Sequence, residues 1–345
     1  MPARARAAPL RGSISARIPL RVLAFVAARG HDPEALCRRV GLHAAALKEE
    51  GARVPYVVAE DLGELAAEVT RDPNIGLHLA ADVRDTRNFD TGLLLLMASP
   101  TVRAALERMT RYQRYWGDGE RSRLLPIGQG GLAVRFSMPS ASATGRRHAD
   151  ECAIAEIVLG LRFLTKQDLC PRVVRFRHAS PSDRREHDEL FRCPIEFGAA
   201  HTDLELDASA LDLPLPEAND VYASIFQQQV ELAIHRLPRG HEMAAEVRAL
   251  ARVALAGGAC TLTRTAELLG VTARTLQRRL QHEGTSFGAL LDKLRSELAL
   301  AYLGEGRAVG EIAWLLGFSN ATAFHHAFKR WTGTTPERHR ASPRS

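Results

Sequence analysis

The sequence has no hydrophobic run of the length that a membrane span requires. A spanning helix needs about 18 or more apolar residues in a row, and the stretch 93–98 is far shorter. The arginine-rich start is followed by an amphipathic pattern at 19–28 that contains Arg21, which differs from the apolar core of a signal peptide. We therefore expect a cytoplasmic protein without a membrane partner.

The chain also lacks paired cysteines and metal-binding histidine motifs. Its five cysteines form no C-x-x-C pair, and an odd number does not make a disulfide framework. The 13 histidines contain no H-E-x-x-H or similar ligand spacing. These absences predict reduced thiols, no metal and no cofactor, and we do not expect an enzyme.

Length and charge indicate two domains of different character. A chain of 345 residues with 46% hydrophobic and 25% charged content has the composition of globular domains. Residues 241–345 hold 14 Lys and Arg against 9 Asp and Glu, whereas the remaining 240 residues hold 32 against 31. The basic excess therefore lies at the C-terminal end, as expected of a segment that neutralises nucleic-acid phosphates.

One pattern occurs twice in that basic segment. Ala266 lies four residues before Gly270, and Ala313 lies four before Gly317, so the two copies are 47 residues apart. On a helix this spacing puts a small residue one turn before the glycine, where a second helix can cross closely. The glycine supplies the positive φ that ends the first helix.

Each copy continues into a second helix, which completes a helix-turn-helix unit. Thr272 and Ser319 are the predicted N-caps of these second helices. The apolar residues follow the glycine at +6 and +10 in the first copy and at +7 and +11 in the second. We therefore predict one extra residue in the second turn.

The segment between the two copies predicts one uninterrupted helix at 286–303. It has no Gly or Pro after Gly288. Its predicted apolar stripe consists of Leu290, Leu291, Leu294, Leu298 and Ala301.

These features together resemble the DNA-binding domain of the AraC/XylS transcription regulators. The resemblance rests on the tandem pair, the Gly-Phe-Ser turn at 317–319, the run 323–333 and the closing Thr335-Pro336. The sequence departs from the family at His339, where Tyr is usual, and at His326, where Arg is common. The resemblance implies an all-α domain with two helix-turn-helix motifs at 241–340.

The preceding residues predict an α+β regulatory domain at 18–237, after a disordered start at 1–17. Helices fill the first third, and a glycine-rich hairpin turn at 128–131 joins strands at 123–127 and 132–138. These glycines join strands and do not open a helix with Lys and Ser/Thr, so a phosphate loop is not favoured. Further elements are a helix at 150–164, a strand at 172–178, a helix at 182–192, strands at 195–197 and 202–206, and a helix at 218–236.

This order predicts a small antiparallel sheet and differs from a cupin barrel, which needs many early strands. With the segments 176–179 and 191–197, it resembles the sensor domain of the ornithine-regulator-like branch of the family. The Pro-Gly break at 237–240 is the predicted domain boundary.

The first reading helix, 273–281, carries the strongest base-contact candidates. Arg274, Gln277 and Arg278 share one face at i, i+3 and i+4. Arginine can donate two bonds to guanine and glutamine can pair with adenine, so this face can contact bases. Thr272, Thr275 and Arg279 are predicted to contact the DNA backbone. The alternative is a solvated basic face.

The matching positions of the second helix carry weaker donors. The candidates for base contact there are Ala321, Thr322, His325 and His326. The candidates for backbone contact are Ser319, Asn320, Lys329 and Arg330. Two histidines that touch only solvent or the DNA backbone are the alternative.

The regulatory domain has no marked site in its sequence. The run 183–189 mixes acids and bases and is typical of a solvated helix surface. Arg175, Arg177 and His178 alternate on a predicted strand, and one hypothesis is that they meet an anionic ligand. The sequence assigns no residues to effector binding.

The basic repeat and the resemblance predict a sequence-specific DNA-binding transcription regulator, and the resemblance implies an effector-responsive activator. The implied partners are double-stranded DNA, RNA polymerase, a small-molecule effector and a second copy of the chain. One alternative is an effector-free architectural DNA-binding protein, which the long preceding domain disfavours. The other is an enzyme fused to a DNA-binding module, as in alkyl-transfer repair proteins, which need a reactive Cys and Cys ligands.

Overall fold

The computed structural model describes residues 12–49, 51–81, 89–118, 122–137, 143–237, 243–256 and 260–341. The helices in these ranges are α1 Arg17–Ala28, α2 Pro33–Val40, α3 Ala44–Leu47, α4 Tyr56–Thr70, α5 Ile75–Ala80, α6 Thr91–Met97, α7 Val102–Arg111, α8 Ala143–Thr165, α9 Arg185–Phe191, α10 Ala208–Leu211, α11 Asp220–Arg236, α12 Met243–Ala254, α13 Leu262–Leu268, α14 Ala273–His282, α15 Phe287–Gly304, α16 Val309–Leu315, α17 Ala321–Thr332 and α18 Pro336–Ala341. The strands are β1 Ser13–Ser15, β2 Arg53–Pro55, β3 Ser122–Pro126, β4 Leu132–Phe136, β5 Val173–Phe176, β6 Ile195–Phe197 and β7 Thr202–Leu206. None of these helices combines the length and apolar composition that a membrane span needs.

Helix α2 begins and ends where local signals predict. The Asp32 side chain accepts a hydrogen bond from the Glu34 N–H at 2.9 Å, and Pro33 occupies the first turn. Gly41 follows the helix with φ of 75°, a conformation that glycine adopts without a Cβ penalty. Helix α7 is followed by a 3₁₀ turn at Gln113–Tyr115.

Contacts divide the chain into two units, residues 63–238 and residues 1–62 together with 239–345. The second grouping differs from the single regulatory domain expected at 18–237. Two tertiary contacts account for the difference: the His43 N–H donates to the Val253 carbonyl at 3.0 Å, and the Tyr302 hydroxyl donates to Glu49 at 2.5 Å. Sequence patterns are local, and they do not reveal that an N-terminal segment packs on helices two hundred residues later. The predicted break at 237–240 falls mostly outside the described residues.

The expected disordered start at 1–17 is wrong from residue 13 onward. Residues 1–11 lie outside the described residues, but β1 pairs antiparallel with β2, with Ile14 opposite Val54. Ile14 is 1% exposed and Val54 is fully buried. Burial of these two side chains orders a segment whose Ala- and Arg-rich neighbours suggested disorder.

The unit 63–238 contains a five-stranded sheet with the order β3-β4-β7-β5-β6. The strands pair antiparallel except β5 and β6, which are parallel. A purely antiparallel sheet was expected, and that expectation is wrong because helix α9 lies between β5 and β6 and returns the chain in the same direction. The predicted hairpin of β3 and β4 is confirmed, with Leu124 opposite Val134.

Helix α8 supplies much of the apolar core of this unit. Ile154 and Val158 are fully buried and belong to one cluster with Phe176 and Phe191. Side chains at i and i+4 lie on one helix face, so α8 presents an apolar stripe while its polar residues gather elsewhere. Two acidic residues of α8, Asp150 and Glu151, are buried as well.

Candidate nucleic-acid interface

The first helix pair, α13 and α14, has the turn that the sequence predicted. Gly270 has φ of 65°, and its N–H donates to the Glu267 carbonyl at 3.0 Å. The Val271 N–H donates to the Ala266 carbonyl at 2.9 Å, which closes the helix end. Thr272 caps α14, since its hydroxyl oxygen accepts from the Thr275 N–H at 3.2 Å.

The second pair, α16 and α17, repeats this backbone pattern. Gly317 has φ of 72°, and the Phe318 N–H donates to the Ala313 carbonyl at 2.9 Å. The N-cap differs from the prediction, because Asn320 rather than Ser319 accepts from the first turn, at 2.8 Å from the Ala323 nitrogen. The extra residue predicted for this turn moves the cap by one position, so Ser319 lies outside the helix.

Helix α14 has one buried face and one exposed face. Leu276 and Leu280 are both fully buried. The predicted base-contact residues Arg274, Gln277 and Arg278 are all exposed. Of the predicted backbone contacts, Thr272 is exposed and Thr275 and Arg279 are half-buried. The helix therefore presents two guanidiniums and an amide together on the side away from the core.

Helix α17 presents a less basic face. Phe324 and Phe328 are fully buried. Among the predicted contact residues of this helix and its turn, those exposed are Ser319, Asn320, Ala321, Thr322, His326, Lys329 and Arg330.

Two of the predicted contacts on α17 already have acidic partners. The His325 Nε2 lies 3.1 Å from a Glu337 carboxylate oxygen. The Arg330 guanidinium donates to Asp292 at 2.8 Å. A phosphate would have to compete with these carboxylates, so His325 and Arg330 are weaker candidates than Lys329.

The predicted single helix between the two pairs is confirmed as α15. Ser286 caps it by accepting from the Ala289 N–H at 3.2 Å, and it runs for 18 residues to Gly304. Its length is therefore about 27 Å at about 1.5 Å per residue. Leu290 is half-buried and Ala301 is exposed, contrary to the predicted stripe. The buried residues are Leu291, Leu294, Leu298, Ala299, Tyr302 and Leu303.

The sequence gives no signal for two residues that hold helices of this unit in place. The Arg295 Nε of α15 donates to the Leu316 carbonyl at 2.9 Å, and its guanidinium lies 4.9 Å from the Phe318 ring centre. Glu283 accepts from the backbone N–H groups of Met243 and Ala244, both at 2.8 Å, and so satisfies the start of α12. Both contacts are between distant segments, and no local pattern indicates them.

Both arginines of the anionic-ligand hypothesis for β5 have carboxylate partners in the structure. The Arg175 guanidinium donates to Glu205 at 2.6 Å and also contacts Glu196 and Asp203, at 2.8 and 3.2 Å. The Arg177 guanidinium donates to Asp150 at 3.2 Å. Since carboxylates already pair with both guanidiniums, the strand does not offer a cationic surface to an anion.

A helical unit that presents basic helices after glycine turns, joined to an α+β unit, defines a DNA-binding regulator of the helix-turn-helix class. Comparison with known families gives the same answer. Residues 30–215 match the arabinose-binding domain of AraC transcription regulators, and residues 265–342 match a helix-turn-helix domain. The chain belongs to the AraC family of transcription regulators, and it is a DNA-binding transcription regulator.

Several characterised proteins are similar to this chain. The ornithine utilization regulator of Pseudomonas aeruginosa is 28% identical over 324 residues, which cover 93% of this chain and 94% of that protein. The regulator VirS of Mycobacterium tuberculosis is 31% identical over 192 residues, covering 55% of this chain and 56% of that one. The crystal structure of the regulator CdpR from Pseudomonas aeruginosa has a TM-score of 0.43 at 23% identity, and it covers 82% of this chain and 91% of that one.

Proposed function

We propose that the chain is an effector-responsive transcription activator that contacts DNA through two helix-turn-helix motifs. In this proposal α14 and α17 each enter a major groove. The observation that carries it is the exposed face of α14, where Arg274, Gln277 and Arg278 lie opposite the fully buried Leu276 and Leu280. A surface of two guanidiniums and one amide matches the donors that pair with guanine and adenine.

The second motif is proposed from the likeness of the two turns. Both glycines have positive φ, and in both turns the N–H after the glycine donates to the carbonyl of the repeated alanine, Ala266 or Ala313, at 2.9 Å. The α17 face has exposed Thr322 and His326 but fewer cations than α14. We therefore assign most of the base discrimination to α14 and a supporting contact to α17.

We assign effector sensing to residues 18–237 and DNA contact to residues 241–340. The match of residues 30–215 to the arabinose-binding domain supports the first assignment. The local basic excess supports the second. Regulation would follow when an effector binds one state of the sensing region more tightly than the other and shifts the population. Recruitment of RNA polymerase by the DNA-bound protein would then activate transcription.

A second copy of the chain is a further proposed partner. Helix α11 leaves four large apolar side chains exposed, Val221 at 67%, Tyr222 at 57%, Ile225 at 49% and Leu232 at 50%. Asp220 and Arg236 lie at its opposite ends. An antiparallel pair of these helices would cover the apolar stripe and bring unlike charges together.

A reporter experiment tests the proposed function. Genomic fragments that bind the full chain are selected, and transcription from the promoter next to the strongest fragment is measured. Arg274→Ala should abolish most of the response, because it removes a guanine-pairing donor. Arg264→Ala is the matched control, since that exposed side chain pairs with Glu267 on α13. Equal transcription with Arg274→Ala and the wild type would contradict the proposal.

A further inference from the structure

Unpartnered buried polar atoms concentrate around one carboxylate in the unit 63–238. Within the described part of this unit, the buried side-chain atoms without a hydrogen-bond partner are Glu151 Oε2, His148 Nδ1, His178 Nε2, His187 Nδ1 and the donor Arg177 Nε. The side chains of Glu151 and His187 are fully buried. Leaving several such atoms unsatisfied is costly, so a fold that gathers them in one place points to a partner that pairs with them. We call Glu151, His148, His178 and His187 the His–Glu cluster.

The hydrogen bonds fix which atoms of the cluster accept. Glu151 accepts from the Arg147 Nε at 2.9 Å and from the His187 Nε2 at 2.8 Å, and the pKa of its carboxyl is lowered by these partners despite its burial. Its second oxygen, Oε2, has no hydrogen-bond partner. An ionised carboxylate has only lone pairs to offer, so this oxygen requires a donor.

His178 adds a second acceptor beside the first. Its Nδ1 lies 3.0 Å from the Ala179 carbonyl oxygen, which can only accept, so the proton of the neutral ring is on Nδ1. The Nε2 lone pair then lies 3.5 Å from the Glu151 Oε1. Burial lowers the pKa of His178 and keeps the ring neutral near neutral pH. Glu151 Oε2 and His178 Nε2 are therefore acceptors without a donor on neighbouring side chains. The His148 Nδ1 lies 4.0 Å from Oε2, beyond hydrogen-bond distance.

The groups around the cluster carry more negative than positive charge. The nearby carboxylates are those of Glu64, Asp72, Asp150, Glu151, Asp183, Glu186 and Asp188. The nearby guanidiniums are those of Arg147 and Arg177, with Arg184 and Arg185 paired to Asp188 and Asp183. His78 lies between Asp72 and Glu186, at 2.7 and 2.9 Å. Even when His78 is counted as a cation, the balance stays negative, which favours a cationic guest.

Aromatic rings flank His178. Its ring centre lies 5.0 Å from that of Phe176 and 5.5 Å from that of Phe197. The Arg184 guanidinium lies 5.5 Å from the Phe197 ring centre. Aromatic faces attract cations, and the Arg184 guanidinium already lies over the Phe197 ring. In the described part of the chain, no group of three or more His, Cys, Asp or Glu residues is arranged to hold a metal ion.

We propose that the His–Glu cluster recognises the protonated amine of a small effector, with Glu151 Oε2 and His178 Nε2 accepting its N–H bonds. An ammonium group supplies both the positive charge and the donors that the cluster requires. An anion would meet two acceptors and a net negative surface. The inference rests on the proposed effector response, whose sensing site it specifies.

Thermal unfolding of the full chain tests the proposal. Methylammonium and putrescine are the probes, and tetramethylammonium is the control, because it carries the same type of charge without N–H donors. The primary amines should raise the Tm by at least about 5 °C at about a hundredfold excess over Kd, with no rise for tetramethylammonium. Equal shifts with tetramethylammonium, or no shift with either primary amine, would overturn the assignment.

A matched pair of variants locates the effect. His178→Phe keeps an aromatic ring and removes the acceptor, so the amine-induced rise in Tm should disappear. His201→Phe alters an exposed histidine of the same unit and should keep it. A rise that survives His178→Phe refutes the site. Should that variant fail to fold, the Nε2 resonance of His178 in the wild type decides, since it must move when methylammonium is added.

DNA binding is measured in the same samples, which separates the two claims. If the wild type binds DNA specifically but shows no amine effect, only this inference is contradicted. If the folded wild type shows no specific DNA binding, the proposed function itself is contradicted.

Discussion

Single side chains on α14 and α17 are expected to differ in whether they contact a base or a phosphate. Arg278 lies on the exposed face of α14 with Arg274 and Gln277, whereas Lys329 lies in the last turn of α17. Arg278→Ala should cost about 1–3 kcal/mol on the preferred site and little on random DNA. Lys329→Ala should weaken both alike. Fluorescence anisotropy measures the loss of affinity for the preferred site and for random DNA. Equal losses for Arg278→Ala on the two DNAs would show that Arg278 contacts only the DNA backbone.

Two largely buried histidines, each with 12% of its side chain exposed, make stability depend on pH. Burial lowers the pKa of His148 and of His178 below the ordinary value of about 6.5. Between the folded and the unfolded pKa, the unfolded state binds more protons, so the free energy of unfolding should fall as the pH drops below about 6.5. Denaturant titrations at a series of pH values check this.

His178→Phe should reduce that loss, since it removes one group that must be kept neutral in the folded state. His201→Phe, at an exposed position, should leave it unchanged. Stability that increases on acidification would mean that the neighbouring carboxylates hold these imidazoles charged.

At the element scale, α15 acts as a stiff spacer between the two proposed reading helices. Its length of 18 residues corresponds to about 27 Å, and successive major-groove faces are about 34 Å apart. The DNA segments contacted by α14 and α17 are called the two boxes. Inserting about half a helical turn of DNA between them should therefore prevent both helices from binding at once. Footprinting should show protection of one box only, with protection of both restored at about a full turn. Unchanged protection at the half turn would leave α14 as the sole base-contacting helix.

Helix α11 gives a second test at this scale. Ile225→Glu places a charge in the exposed apolar stripe and should weaken self-association by at least about tenfold, or ~1.4 kcal/mol. Leu300→Glu is the matched control, because it adds the same charge at another exposed apolar position, on α15. Sedimentation equilibrium measures the constant. A monomeric wild type, or equal effects of both variants, would show that α11 is not a dimer surface.

The elements differ in how far the sequence could predict them. The turns at Gly270 and Gly317, the cap at Thr272 and the strands β6 and β7 depend on local chemistry, and the structure agrees with each prediction. Tertiary contacts explain the failures. Helix α9 makes β5 and β6 parallel, and the N-terminal segment packs against α12 through residues such as His43.

The candidate sites follow the same division. The exposed face of α14 could be predicted because helix periodicity places Arg274, Gln277 and Arg278 together. The His–Glu cluster could not, since Glu151 and His187 come from separate helices and meet only after the sheet and α8 pack. Helix periodicity also gives no information about the acidic partners of α17 side chains, such as Glu337 beside His325.

The whole molecule is expected to bind one DNA sequence in preference to others. Family membership and the placement of basic side chains on α14 both support it. Non-specific contact to phosphates alone would give binding without sequence preference. The decisive property is therefore the ratio of affinities for selected and scrambled DNA.

That ratio is the central measurement, made with the full chain, a duplex selected from the genome and a scrambled duplex of the same composition, over a range of salt concentrations. The account predicts that the selected duplex binds at least about 10³-fold more tightly, and that the logarithm of both affinities falls linearly with the logarithm of salt concentration. Equal affinity for the two duplexes, or an affinity independent of salt, would contradict it.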